Sequence, residues 1–290
     1  MNTKCTLLII IALSVISCRK EITPVAASPS QNPTSYELVS ETWSGVATNG
    51  ESILFTYDST HLLTDYKQIQ WGQGGYSITD SGNFPLPGFS DTSYNHLEYS
   101  NGRVSKQYVI DKNGGQGYWT YEYNSKGWLV KITTYDLNGQ PEDGYTYLYS
   151  YNENGQVTDM RQGDASAPSY HDTFEYDSAG NLTKEVDSTL YINPAWVQIS
   201  EYFNYDNKIN FVRALNGYPT TYSTGNNFGV VSSFSPNNYG KVEYYGSIQP
   251  GDPFGLLSSS VNAYQYNDQG LPVQIVSGPW TVTLQYQKYK

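Results

Sequence analysis

An aromatic–polar–aromatic triplet followed by Asp or Asn recurs along nearly the whole chain, and a repeat this dense sets the architecture before any single residue does. It reads Phe55-Thr56-Tyr57-Asp58, Leu97-Glu98-Tyr99, Tyr121-Glu122-Tyr123-Asn124, Tyr149-Ser150-Tyr151-Asn152, Phe174-Glu175-Tyr176-Asp177, Phe203-Asn204-Tyr205-Asp206 and Tyr264-Gln265-Tyr266-Asn267. The second ring moves from 99 to 123, 151, 176 and 205, a period of two strands and two turns; the wider gaps from 57 to 99 and from 205 to 266 leave room for degenerate units. Trp71 to Ile78 and Val242 to Ile248 are candidates for these.

Period-2 patterning places both rings of a triplet on one strand face. Asp or Asn, two variable residues and Gly follow, as in Asp177-Ser178-Ala179-Gly180 and Asn152-Glu153-Asn154-Gly155. An Asx side chain bonds the backbone two residues on, and Gly accepts positive φ without Cβ strain. Gly127, Gly155, Gly180 and Gly270 take that place in a short hairpin loop. An apolar residue two further on (Leu129, Val157, Leu182) opens the return strand. Asn101-Gly102 signals a two-residue hairpin, and His61 stands at a Gly place. After Tyr205 the Gly is missing, which predicts a tighter turn centred on Asp206-Asn207 or Asn207-Lys208.

These residues resemble the YD repeat, Tyr-x-Tyr-Asp-x-x-Gly-x-Leu, which Phe174 to Leu182 matches best. Taken whole, the chain is similar to small bacterial lipoproteins of unknown function, including a family described as porin-like in fold. Tyr264 to Val273 and Phe254 to Ser259 carry that likeness. The resemblance implies no catalytic residue.

Lys4, an apolar run from Leu7 to Ile16 and then Val15-Ile16-Ser17-Cys18 have the form of a lipoprotein signal peptide. The expected organisation is a signal peptide over 1–17, lipidated Cys18 with a Pro/Ser/Ala-rich tether to 35, and one β-repeat domain over 36–290. Arg19 after the Cys is no acidic retention signal, so the destination is the outer membrane, facing the periplasm or the cell surface. Cys5 and Cys18 are the two cysteines, so such processing leaves no thiol for a disulfide or a metal. The net charge of −11 falls to −12 without Lys4 and argues against nucleic acid as a partner.

The expectation is an all-β fold: antiparallel hairpin repeats forming a soluble barrel or a strongly curved meander. Seven triplets imply fourteen strands or more, and a sheet that large must curl or close. A membrane barrel shares the alternation, but Tyr stands where a lipid-facing band is rich in Leu and Val.

With 29 Tyr and 6 Trp, aromatics dominate the search for a site. Triplet rings read as core. Rings outside the triplets read as loop anchors for a glycan or an envelope protein: Trp71, Tyr76, Phe84, Phe89, Trp119, Trp196 and also Trp280. His61, His96 and His171 lack metal-ligand spacing, and Asp111 to Gly117 reads as a hairpin tip rather than a calcium loop. No cofactor or metal is expected. Glu142, Asp143, Asp164 and Asp252 keep open the alternative of an enzyme with paired loop carboxylates acting on carbohydrate. The reading is otherwise a monomeric, non-catalytic, lipid-anchored binding or scaffolding protein. Its search for function centres on 64–96 and 212–262, where the repeat lapses.

Overall fold

A computed structural model describes residues 36–45, 50–72, 76–79, 82–85, 89–110, 114–164, 167–191, 195–214, 234–247 and 252–288. The signal peptide, Cys18 and the tether lie outside the described residues.

The strands follow the repeat. They are β1 (Tyr36–Ser44), β2 (Gly50–Tyr57), β3 (Leu63–Gly72), β4 (Tyr76–Thr79), β5 (Gly82–Pro85), β6 (Phe89–Ser100) and β7 (Arg103–Ile110). Next come β8 (Gln116–Tyr123), β9 (Leu129–Tyr135), β10 (Pro141–Tyr151), β11 (Val157–Asp164), β12 (Ala167–Tyr176) and β13 (Leu182–Thr189). The last are β14 (Trp196–Phe203), β15 (Lys241–Gly246), β16 (Gly255–Tyr266), β17 (Pro272–Ser277) and β18 (Trp280–Lys288). All are antiparallel to their neighbours, and sixteen of them close into one barrel in chain order, with β1 sealing against β18. β4 and β5 form a separate two-stranded ribbon between β3 and β6. Closure leaves no free edge to aggregate. Trp71 to Ile78 is therefore no hidden repeat: it spans the end of β3 and the start of that ribbon.

The turns carry the expected chemistry. Asp177 Oδ1 accepts from the amides of Ala179 at 2.9 Å and Asn181 at 2.8 Å, and Gly180 sits at φ 88°. Asn124, Asn152, Asn267 and Asp58 cap their own turns in the same way. His61 takes positive φ at its Gly place, as do Asn101 and Gly102 together, the signature of a type I′ turn. Tyr135 to Gly139 builds one further such turn at the other end of the barrel.

Two features extend the repeat beyond its sequence pattern. The ladder shifts register just before the second ring of six units, at Thr56/Tyr57, Glu98/Tyr99, Glu122/Tyr123, Ser150/Tyr151, Glu175/Tyr176 and Gln265/Tyr266. The extra residue sits on the return strand, so the next inward side chain comes three residues after the strand-opening one: Leu129 then Ile132, Val157 then Met160, Leu182 then Glu185.

The second feature is a ring of hydroxyls. Tyr57, Tyr99, Tyr123, Tyr151, Tyr176 and Tyr205 donate to the carbonyls of Leu38, Leu63, Val104, Leu129, Val157 and Leu182, over 2.5–2.8 Å. Tyr264 donates to Tyr239 and Tyr286 to Pro272, which completes all eight seams between successive hairpins. Tyr286, in Leu284-Gln285-Tyr286, is an eighth unit that the pattern search missed. Burial pushes the hydroxyls of Tyr99, Tyr123, Tyr151, Tyr176, Tyr205, Tyr264 and Tyr286 up, Tyr123 to about 12, so they remain donors.

Behind the ring, Leu38, Ile53, Phe55, Leu97, Tyr121, Phe174, Val242 and Leu284 join one hydrophobic cluster inside the barrel. They are less than a tenth exposed. A water-filled channel of the kind wide barrels enclose would leave such a lining accessible, so the lumen is packed at this level.

Residues 204–214 and 234–240 close the same end. No tight turn forms at Asp206-Asn207: with no Gly to reverse the chain, the Asp206 amide bonds Asn238 O at 3.0 Å, and Ile209 bridges Asn237. Phe211 and Val212, on a short 3₁₀ turn beside β1, enter the core, and Phe234 meets Phe174 edge-on at 5.1 Å. Asn204 takes φ 57°, which swings Phe203 out and puts Tyr202 in its inward place while Tyr205 keeps its seam bond.

Candidate functional site in the lumen

Ladder parity assigns the inward face. Moving from the tyrosine ring toward the opposite rim, it turns from apolar to polar. Gln107 lies at the crossover, its amide donating to Tyr66 Oη at 2.8 Å and Asn95 Oδ1 at 3.0 Å while Tyr121 donates to its oxygen at 2.7 Å. These buried groups satisfy one another and fix the packing there.

Beyond that level the lumen is acidic. On one wall Glu41, fully buried, accepts from Trp43 Nε1, and Glu51 accepts from Gln68. Burial, with the nearby Glu51 charge, raises the Glu41 carboxyl well above its ordinary value. On the other wall Asp172 of β12 stands directly opposite Asp187 of β13, and their carboxyls are hydrogen-bonded. Burial and then the facing Asp187 charge push the Asp172 carboxyl up to about 9, and burial raises Asp187 while its bond to Asp172 lowers it, so the pair shares a proton. Glu185, opposite Phe174, accepts from Tyr202 Oη at 2.9 Å and is pushed up to about 7 by burial. Asp172 is 4% exposed, and one oxygen each of Asp172 and Asp187 is buried without a partner.

Toward the rim opposite the tyrosine ring the side chains of this second wall are partly exposed. Tyr145 (52% exposed) and Tyr244 (40%) flank it; burial and the Glu185 charge raise Tyr244 to about 12. Tyr170 bonds Tyr191 at 3.2 Å with rings edge-on, and Ser258 of β16 is exposed. The arrangement offers hydroxyls, ring faces and a proton-sharing carboxyl pair to something entering from that rim.

The aromatics expected on loops are on strands. Trp119 faces inward on β8 and packs on the core, so it is a core residue, not a surface anchor. Trp71 covers the place where a Gly50 side chain would be, Trp280 does the same for Gly45, and Trp196 donates to Ser247 O at 2.9 Å. The side chains of Tyr76, Phe84 and Phe89, on β4, β5 and β6, lie outside the described set. So do those of Asp143 and Asp164. Glu142 lies on strand β10, and Asp252 is exposed. Of the described ones, neither Glu142 nor Asp252 belongs to the cluster at Asp172, Glu185 and Asp187. Asp172 could have been found two places before Phe174. The bulge after Leu182 hid Glu185 and Asp187, because simple alternation puts both on the outside.

The outer surface differs in charge. Lys131 pairs with Glu122 at 2.8 Å, Arg161 with Asp159 at 3.0 Å, Lys241 with Glu243 at 2.5 Å, and His96 with Asp65 at 2.7 Å. An outward row of rings, Tyr108, Tyr118 and Tyr135, crosses β7 to β9. Tyr118 stacks on Tyr135 at 4.5 Å, and Lys106 lies 3.8 Å from its centroid, so its faces are already occupied.

The chain is similar in fold to a porin-like protein from Bacteroides uniformis ATCC 8492, with a TM-score of 0.51 and 13% identity over 86% of this chain and 98% of that one. A chain of the TcdB2-TccC3-Cdc42 complex aligns at TM-score 0.39 and 12% identity, over 82% of this chain and 10% of that chain, too slight a likeness to carry an argument. No protein-family model and no curated protein matches the chain. The first likeness speaks for the barrel alone.

Proposed function

We propose that this is a lipid-anchored barrel of the cell envelope that binds a glycan at the open end of its lumen, without catalysis. The observation that carries the reading is the asymmetry of the lumen. One end is filled and capped, and the other presents Tyr145, Tyr170 and Tyr244 around polar, partly accessible positions. Rings beside hydroxyl-bonding groups suit sugars. The packed level supports a cup rather than a conduit. The outward ion pairs support a body in water, since a membrane barrel carries an apolar outer band about 25 Å tall. The lipid-anchor sequence at Cys18 supplies the attachment.

A glycan array with the soluble Cys18→Ala protein tests the reading. Binding should fall about ten-fold in Tyr244→Ala with the melting transition unchanged. Binding that ignores Tyr170, Tyr244 and Tyr145 alike places the site elsewhere. Cys18→Ala should also move the protein from the membrane to the soluble fraction.

A further inference from the structure

We infer that the carboxyl cluster on β12 and β13 recognises a protonated amine, so that the glycan of the reading above is one bearing free rather than acetylated amino sugars. This rests on glycan binding at the open rim and adds the chemical group that is selected.

Charge is the first observation. Between the tyrosine ring and the far rim, the described inward positions carry Glu41, Glu51, Asp172, Glu185 and Asp187 and no lysine, arginine or histidine. Lys67, Lys106, Lys131, Arg161, Lys184 and Lys241 stand at outward positions of their ladders. Acids buried without counter-charge are costly, and the described inward positions supply no cation beside Asp172, Glu185 and Asp187.

The second observation is the pair of unpartnered oxygens, Asp172 Oδ1 and Asp187 Oδ1, in a lumen wall otherwise rich in hydrogen bonds. Beyond the proton that the two carboxyls share, neither has a donor. No cation faces them: Glu185 stands on the same wall, Gln198 opposite Asp187 and Tyr202 on β14, Met160 opposite Asp172 on β11, Tyr170 beside Asp172, and Tyr244 from β15 next to Glu185; Asp159 adds its charge from β11.

The third is coordination geometry. Among the described residues no three His, Cys, Asp or Glu side chains converge as metal ligands. An ammonium group asks less: three N–H donors, each to one acceptor, with a ring face beside it. The two carboxyl oxygens accept from two of them, and a tyrosine hydroxyl at the rim accepts from the third while its neighbours offer ring faces. An entering ammonium also replaces the shared proton, which departs to solvent, so binding and proton release are linked.

Calorimetry on the full chain tests this with glucosamine oligomers and their N-acetylated counterparts, each in two buffers of different ionisation enthalpy. The free-amine oligomer should bind about ten-fold more tightly and release about one proton, a signature of a displaced carboxyl proton. Asp172→Asn and the double change with Asp187→Asn keep the shape and should abolish the preference and the proton release, while binding of the acetylated oligomer persists. Equal affinity for both oligomers overturns the amine and leaves the glycan reading standing. An amine preference that survives both substitutions overturns this site in favour of general attraction to an acidic protein. Binding of neither oligomer removes both readings.

Discussion

The two ends of the barrel are built to different rules. At the ring end five hairpins share an Asx-capped turn, six share the same bulge and all eight seams share a tyrosine-to-carbonyl bond, over an apolar interior. At the opposite end the connections differ from one another, one holds the β4–β5 ribbon, and the interior carries acids and partly exposed rings. Strands span both, so the difference lies in what each rim asks of its residues. Uniform local bonds stabilise the ring end. The other end gives up burial and charge pairing, as binding regions do relative to their scaffold.

The sharpest break of this comparison is a cavity. Leu182→Ala, fully buried at the ring end, should cost about 3 kcal/mol in denaturant unfolding. Tyr191→Ala at the other rim should cost under about 0.5 kcal/mol. Similar losses at both sites would dissolve the distinction.

Asp172→Asn should act in the opposite direction. The raised Asp172 carboxyl keeps its proton in the folded chain while the unfolded chain loses it above the ordinary value of 3.8. Folding therefore takes up a proton, and the contribution is fully present below that value and lost as pH rises. Removing the acid should raise stability by about 2 kcal/mol at pH 8 and by little near pH 4, read from melting temperatures across that range. A gain independent of pH would mean that the pair is not sharing a proton.

Tyr151→Phe removes one seam bond and leaves the Leu129 carbonyl unpaired, at about 1 kcal/mol. If the seams act alike, Tyr176→Phe costs the same, and unequal costs would show that the ring is not uniform. The smallest effect belongs to the outer wall: Lys131→Ala, breaking an exposed pair with Glu122, should change stability by less than about 0.5 kcal/mol and less still in high salt.

Much of the ring end was legible in the sequence. Triplet alternation, Asx and Gly announced the strands, the turns and the inward rings, and closure followed from strand number. Tyr286 escaped because no Asp and Gly follow it. The site was far less legible. Glu185 and Asp187 read as outward from Leu182, and only the bulge at Thr183, whose hydroxyl bonds Glu175 O, turns them in. The hairpin expected at Asp206 failed for a related reason: its carboxylate takes the Lys208 amide at 2.9 Å as in the other turns, but it also serves Tyr266 and Asn238, partners distant in sequence, and the chain does not reverse there. Local chemistry could be read locally; phase shifts and long-range partners could not.

The seam between β1 and β18 has a bearing on orientation. Tyr36 lies opposite Lys288, at the tyrosine ring and not at the acidic rim. The barrel is therefore entered by the chain at its sealed base. Were Cys18 acylated as proposed, the attachment would join the barrel at its plugged end, away from the acidic lumen wall.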